Sequence, residues 1–316
     1  MIEIIQPGLQ TTVQDDGRRG YQAFGVPVCG AMDWIALAQA NLLAGNAPGE
    51  AALELCALGP TVRFHTDAVF ALAGAEFSAV LNGMPVSAGG AYLAHRGDEL
   101  ALGAAKGGLR GYLAIAGGMD IPMVMGSRST CLSAQFGGLE GRALKAGDRI
   151  PLREPQLWLR GLPQRRLAGT WDAERPLRVV AGPQDDAFST EGLDTFFDSE
   201  YRMSAQCDRM GCRMEGPNIA LKEGRSPNIL SDGVVMGSIQ VPNGQPIVMM
   251  ADRQTTGGYV TLGTVITADL PLLAQKRPGD RLRFVRATVE EAQQARRDCF
   301  RRLRAMQEEL ERGDLW

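Results

Sequence analysis

The sequence predicts a mainly β protein built from two β-rich domains, and three observations carry that expectation. Short runs rich in Val, Ile, Leu and Phe recur along the chain, at Ala68–Ala73, Arg110–Ile115, Leu177–Val180, Ile247–Met250 and Arg281–Val285. Turn formers fall between them, with 39 Gly and 17 Pro in 316 residues, which is the punctuation of short strands in barrels or sandwiches. Third, a Gly-Asp pair precedes a strand-like run at Gly97-Asp98, Gly147-Asp148 and Gly279-Asp280. The last two stand at the ends of two halves of similar size. A length of roughly 100–200 residues per domain also favours two domains.

The helices follow from caps and periodicity. Asp33 can cap a helix through Trp34, Ile35, Leu37, Ala38 and Leu42 that stops at Gly45-Asn46. A short helix is expected over Thr190–Phe197, and another after Asp269, from Leu270 to Gln275, before the Pro278-Gly279 turn. The longest closes the chain. Thr288 and Glu291 form a capping box, and Ala292, Ala295, Cys299, Leu303, Met306 and Leu310 make one narrow apolar stripe. Such a stripe suits packing on the parent domain, or a partner. The expected organisation is an N-terminal β-rich domain over 1–155, a linker over 156–176 rich in Arg, Pro, Gly and Gln, a C-terminal β-rich domain over 177–287, and the closing helix over 288–313.

Composition excludes several classes. The chain is 45% apolar and 22% charged, enough to bury a core and too apolar for wholesale disorder. Its net charge is −3, without the basic excess of a nucleic-acid binder. No apolar run approaches the ~18 residues of a membrane span, and Met1–Pro7 lacks a signal-peptide pattern, so a cytoplasmic protein with no membrane partner is expected. Six cysteines at 29, 56, 131, 207, 212 and 299 include no C-x-x-C pair, and there are only two histidines, His65 and His95. A zinc set or a His-based triad therefore has little material, and no metal site is expected from protein ligands alone. Carboxylates, Arg, hydroxyls and backbone amides must carry any chemistry. Neither G-x-x-x-x-G-K-[ST] nor G-x-S-x-G occurs, which removes a Walker loop and a hydrolase elbow.

Four runs combine tight-turn glycines with polar side chains: Thr11–Gly20, Met125–Thr130, Cys207–Arg213 and Ala251–Tyr259. Gly126-Ser127-Arg128-Ser129-Thr130 suits an anion, because backbone amides can turn inward, hydroxyls donate and Arg offers a planar fork. A polar turn with a structural Arg has the same composition. Asp252-Arg253-Gln254-Thr255-Thr256-Gly257-Gly258-Tyr259 offers a carboxylate, a cation, an amide and hydroxyls beside a diglycine, suited to a small polar ligand or a Mg²⁺ shared with substrate phosphates. A buried ion pair followed by a turn would look similar.

In collinear order over nearly the whole chain, the passages PGLQTTVQDDGRRGYQAFGVPVCGAMD (Pro7–Asp33), ANLLAGN (Ala40–Asn46), YLAIAGGMDIPMVMGSRST (Tyr112–Thr130), GGLEGRALKAGD (Gly137–Asp148), DRMGCRMEG (Asp208–Gly216) and GSIQVPNGQPIVMMADRQTTGGY (Gly237–Tyr259) resemble the biotin-dependent carboxyltransferase-like family. That family includes the 5-oxoprolinase component PxpC, KipA and allophanate hydrolase subunit 2. The resemblance implies two cyclophilin-like β-barrel subdomains. It also implies two partners, one like PxpB or KipI and one like PxpA, with which 5-oxoproline is converted to L-glutamate at the expense of ATP with Mg²⁺, the nucleotide site lying either in this chain or at or in the partner.

Under that scheme a resonance-stabilised lactam is activated by phosphorylation of its carbonyl oxygen, which mainly needs positioning and positive charge. Arg128 and Arg253 are then the expected phosphate or carboxylate clamps. Asp252 would hold Mg²⁺ or orient substrate, and Asp15 and Arg18 stand behind them. Ser127, Ser129, Gly257 and Gly258 would line the binding site, and Gln240, Gln254, Thr256 and Tyr259 would fix the lactam by hydrogen bonds. Two other activities belong to relatives of this kind. One is the carboxyltransferase half of urea carboxylase, disfavoured by the lack of a Met-Lys-Met carrier run. The other is KipA-like regulation through binding of a KipI-like protein, disfavoured by aromatics at only 6%, too few for an adhesive surface.

Overall fold

The computed structural model describes residues 1–154, 156–159, 161–167 and 174–312. The chain divides into two compact units, one of residues 1–18, 29–170 and 300–316 and the other of 19–28 and 171–299. The parts of the expected 156–176 linker at 160 and 168–173, and the last expected helical residue, Gly313, lie outside the described residues.

The first unit contains β1 (Ile2–Gln6), β2 (Gln10–Gln14), α1 (Trp34–Leu43), β3 (Ala52–Cys56), β4 (Thr61–Phe64), β5 (Ala68–Leu81), β6 (Met84–Pro85), β7 (Gly90–Ala94), β8 (Glu99–Ile115) and β9 (Arg149–Ile150). These strands form one nine-stranded sheet with the path β2-β3-β8-β4-β1-β9, while β5 pairs with β6, β7 and β8. This unit is a curved sheet whose path leaves two ends, so it stops short of a closed barrel. Its core joins Ile2, Ile4, Val62, Phe64, Phe70, Leu100, Leu113 and Ile115, all fully buried. The first half of β5 is buried on both faces and its second half alternates. A strand covered on both sides reads as a continuous apolar run, whereas one side facing water restores the period of two.

Helix α1 begins where expected, with the Asp33 side chain accepting from the Ala36 amide at 2.9 Å. It is apolar nearly all round, and nine of its ten residues are buried, as a helix enclosed within a domain requires. The Leu42 and Leu43 carbonyls at its C-terminus accept from the buried Arg165 guanidinium at 2.8 and 2.9 Å, so one cation meets both the orphan carbonyls and the negative dipole end.

The second unit contains β10 (Leu177–Ala181), α2 (Thr190–Asp198), β11 (Glu200–Cys207), β12 (Gly211–Glu215), β13 (Asn228–Gly233), β14 (Ser238–Gln240), β15 (Ile247–Met249), β16 (Thr256–Tyr259), β17 (Thr261–Val265), α3 (Leu270–Gln275) and β18 (Arg281–Arg286). Here the barrel closes, in the order β10-β17-β14-β15-β12-β11-β18, and β13 and β16 form a separate two-stranded ribbon. Closure comes from the parallel pairing of β10 with β18. Stacked Phe196 and Phe284, 4.6 Å apart, pack with Tyr201 in its core. Helix α3 has the bounds expected of it, but Asp269 does not cap it. Its carboxylate instead takes the Arg178 guanidinium at 2.7 and 2.9 Å, together with Arg175.

Helix α4 (Val289–Arg312) closes the chain. The capping box is made in both directions, Thr288 N to Glu291 Oε2 at 2.8 Å and Glu291 N to Thr288 Oγ1 at 3.2 Å. Ala295, Cys299, Leu303 and Leu310 of the stripe are buried, which meets the reading of a helix packed on its own protein.

The Gly-Asp echo is one turn built three times. Asp98, Asp148 and Asp280 each accept, through the carboxylate, from the amide three residues earlier (His95, Lys145, Arg277) at 2.7–2.8 Å. Each preceding glycine has positive φ, at 98°, 85° and 93°, where a Cβ is disfavoured. Each turn also pairs with a strand residue through two backbone bonds, to Phe64, Ile4 and Met203 in turn.

Candidate functional site

In the first unit, residues 11–18 of the first run meet the Met125–Thr130 run. Met125 and Gly126 both have positive φ, 51° and 76°, in a tight turn closed between Val124 and Ser127. This turn directs Ser127, Arg128 and Ser129 at Asp15. The Ser127 hydroxyl donates to Asp15 Oδ1 at 2.6 Å, the Ser129 hydroxyl to the same oxygen, and the Arg128 amide to Oδ2 at 2.6 Å. Gly17 N adds a fourth bond at 2.9 Å. The run thus has the anion-cradling geometry that its composition suggested, and the anion it cradles is a carboxylate of the same chain. Ser127 and Ser129 are fully buried and Asp15 is 8% exposed.

Arg18 lies fully buried beside this cradle. Its Nε donates to Val124 O at 2.8 Å and its Nη2 to Ser129 O at 3.0 Å. Its guanidinium sits 4.6 Å over the Phe136 ring, a cation–π contact that offsets part of the burial cost. The Arg128 side chain reaches elsewhere: Nε donates to Ile121 O at 2.8 Å, and Nη1 lies 3.6 Å from Glu50, which also pairs with Arg153.

A second buried polar group, which sequence reasoning missed, lies in the same unit. Tyr112 donates to Glu54 at 2.7 Å and accepts from Asp33 N at 2.8 Å, and Met32 N also donates to Glu54. Burial, and then the Glu54 and Asp33 charges, push the Tyr112 hydroxyl far above its ordinary range. It is held as a neutral donor. Nothing in the isolated letters E and Y marks such a pair, which is assembled by the β3·β8 register Glu54↔Tyr112.

In the second unit, the Cys207–Arg213 and Ala251–Tyr259 runs meet. Arg209 Nε lies 3.0 Å from Asp252 Oδ2 and Arg209 Nη2 lies 2.8 Å from Oδ1. Both side chains are nearly excluded from solvent, at 4% and 3%. This is the buried ion pair followed by a turn that the sequence left open. Arg209 was not among the expected site residues; its signal was the Asp-Arg-Met-Gly turn and its missing partner. Both Asp252 carboxylate oxygens are engaged in this bidentate pair. Arg253 is 7% exposed and donates to the Val234 and Met250 carbonyls at 3.1 and 3.2 Å.

Beyond these residues the run emerges toward water. Thr256 and Tyr259 are exposed, and Gln254, Gly257 and Gly258 half-buried. Gln240 is buried at 3%, with its amide against Gly257, where a Cβ would stand 2.4 Å from Gln240 Nε2. Thus Gln240, Gln254, Thr256, Gly257, Gly258 and Tyr259 are brought together around β16. Asp15, Arg18, Ser127, Arg128 and Ser129 are brought together in the first unit.

Among the described residues, no group of three or more His, Cys, Asp or Glu is placed to hold a metal ion, and no helix is long and apolar enough to cross a membrane. The serine hydroxyls are committed to Asp15 and the Asp252 oxygens to Arg209.

A curved sheet with an enclosed helix, and a closed seven-stranded barrel bearing a polar ribbon, together define a carboxyltransferase-type β protein. A fifth of the K. lactis urea amidolyase chain superposes on 96% of this chain, with a TM-score of 0.90 at 31% identity. Residues 24–286 match the family described as carboxyltransferase domain, subdomain A and B, and the chain belongs to that family. It is 43% identical over 302 residues to the C subunit of the 5-oxoprolinase of Escherichia coli (strain K12), covering 94% of this chain and 95% of the relative. It is 35% identical over 313 residues to the urea amidolyase of Lachancea kluyveri, covering 92% of this chain but 17% of that protein.

Proposed function

We propose that this protein is one component of an ATP-dependent 5-oxoprolinase, opening 5-oxoproline to L-glutamate together with PxpA-like and PxpB-like partners in the cytoplasm. One observation carries the reading: the 5-oxoprolinase component of E. coli is matched over 95% of its length, whereas the urea amidolyase of Lachancea kluyveri is matched over 17% of its length. ATP and Mg²⁺ are taken to bind at or by the PxpB-like partner.

The residues of this chain then bind and orient the lactam. A 5-oxoproline presents one carbonyl, one N–H and one carboxylate. The Gln254 and Gln240 amides and the Thr256 and Tyr259 hydroxyls supply matching donors and acceptors, and Gly257 and Gly258 allow close approach to the ribbon backbone. Arg209, Asp252 and Arg253 hold this run in place from below, as Asp15, Ser127, Ser129 and Arg18 hold the Arg128 turn.

The test is 5-oxoproline-dependent ADP and glutamate formation with the cognate partners, omitting each in turn. Glutamate release that needs all three proteins, without biotin or bicarbonate, supports the reading. A tight complex without turnover would overturn it. The second reading, a carboxyltransferase acting on urea, is favoured by the 0.90 TM-score to the urea amidolyase. Its assay supplies urea, bicarbonate and a biotin carrier.

A further inference from the structure

Two of the six cysteines face each other across a hairpin. Cys207 on β11 and Cys212 on β12 are directly paired in register, and both are thiols. The next pair inward, Asp208 and Gly211, is joined by Asp208 N to Gly211 O at 3.2 Å. The 207–212 pair is therefore of the non-hydrogen-bonded kind, in which Cα atoms stand about 4.5 Å apart and side chains are closer. That spacing falls inside the range a disulfide spans, so bridging needs side-chain rotation and no parting of the strands. Cys207 is half-exposed and Cys212 is 3% exposed. In the thiol form Cys207 Sγ lies 2.9 Å from Met203 Sδ.

The loop that this pair closes is the one that holds the candidate site. Arg209 and Met210 are its two central residues. Arg209 binds Asp252 with both guanidinium arms, Arg209 O accepts from Asp252 N at 2.7 Å, and Met210 O accepts from Met250 N at 2.9 Å. Four bonds thus join a two-residue loop to Met250 and Asp252, three of them to Asp252.

We propose that Cys207 and Cys212 are a redox modification site, a cross-strand dithiol whose oxidation alters the grip of Arg209 on the Asp252 run. The Cys207 thiolate attacks a low-molecular-weight disulfide, forming a mixed disulfide and expelling one small thiol. Cys212 then attacks Cys207 Sγ and expels the second. Two protein thiols give up two electrons and two protons, one external S–S bond is reduced, and one internal S–S bond forms. A short bridge beside a two-residue turn is tightly constrained, and constrained bridges are the readily reduced ones. The consequence for activity rests on the 5-oxoprolinase reading; the chemistry and the loop response do not.

The test uses the full chain equilibrated in glutathione buffers from fully reduced to fully oxidised, with remaining thiols blocked and the protein digested with trypsin. Cleavage after Arg202, Arg209 and Arg213 severs the loop, so a disulfide is the sole link between peptides 203–209 and 210–213. Recovery of the linked pair, its loss on treatment with dithiothreitol, and its absence from Cys207→Ala and Cys212→Ala are expected. Absence of the link even in the oxidised buffer overturns the proposal. Hydrogen exchange over residues 250–254 is expected to change severalfold between oxidised and reduced wild-type protein, and not at all in Cys207→Ala. Unchanged exchange in protein shown to carry the bridge overturns the coupling to Asp252. Neither readout uses turnover, so an inactive complex with an intact redox response would sink only the functional reading.

Discussion

Arg209 and Asp252 form a bidentate ion pair, 3.0 and 2.8 Å at its two bonds, with both side chains at least 96% buried. The pair joins a hairpin turn of the barrel to the run that emerges as β16. Removing one partner of such a pair strands a charge away from water. Arg209→Met is expected to lower unfolding free energy by about 3–5 kcal/mol, whereas Arg209→Met with Asp252→Leu, leaving no charge behind, recovers most of that loss. Urea unfolding of the three proteins checks it, and equal instability of single and double variants would refute it.

The Asp15 cradle is expected to be intolerant of an amide. Four donors converge on its carboxylate, and an Asn would turn one acceptor into a donor facing them. Asp15→Asn is expected to lose about 2–3 kcal/mol, the scale of hydrogen bonds to a charged group that are lost and not replaced. Ser129→Ala should lose less, because the Ser127 and backbone donors remain. Chemical denaturation midpoints order the two.

Acid stability should depend in part on Asp148. Burial pushes its carboxyl up, but the Arg142 guanidinium and the Lys145 amide outweigh burial and leave it below the ordinary value of 3.8. A depressed carboxyl stabilises the fold above the unfolded-state value and ceases to do so as pH falls through the folded-state value. Wild-type stability should therefore fall more steeply below about pH 4 than that of Asp148→Asn, which is the less stable protein at neutral pH. Parallel stability curves would contradict this assignment.

Gly257 and Gln240 are expected to be coupled. A Cβ on residue 257 would overlap the Gln240 amide and stand 3.0 Å from Val234 Cγ2, and Gln240 is buried. Gly257→Ala should destabilise by about 1–3 kcal/mol, as overpacking does, and Gln240→Ala should relieve it. A double-mutant cycle with an interaction energy near zero would show that the two do not touch. Under the proposed function, turnover should fall with Gly257→Ala even where the protein stays folded.

What the sequence determined by itself was everything that depends on near neighbours. The Asp33 cap, the α3 bounds, the Thr288–Glu291 box and the three Gly-Asp turns need only residues three or four apart, and each stands where the pattern placed it. The strand runs at Ala68, Arg110, Leu177, Ile247 and Arg281 were legible because bulky β-branched and aromatic residues between turn formers favour extended chain. Family membership was legible from collinear polar passages. Tertiary structure decided which charges met. Asp15 and Ser129 are separated by 114 residues, and Arg209 and Asp252 by 43, and no local rule pairs them. The composition of Gly-Ser-Arg-Ser-Thr described an anion cradle, yet only folding could place Asp15 in it. The barrel was expected from the family resemblance and from no local rule, since its closure depends on the parallel contact of β10 with β18, more than a hundred residues apart along the chain. A carboxylate and a guanidinium look the same in sequence whether they face a ligand or each other. Burial decides between the two, because a charge removed from water must be paired.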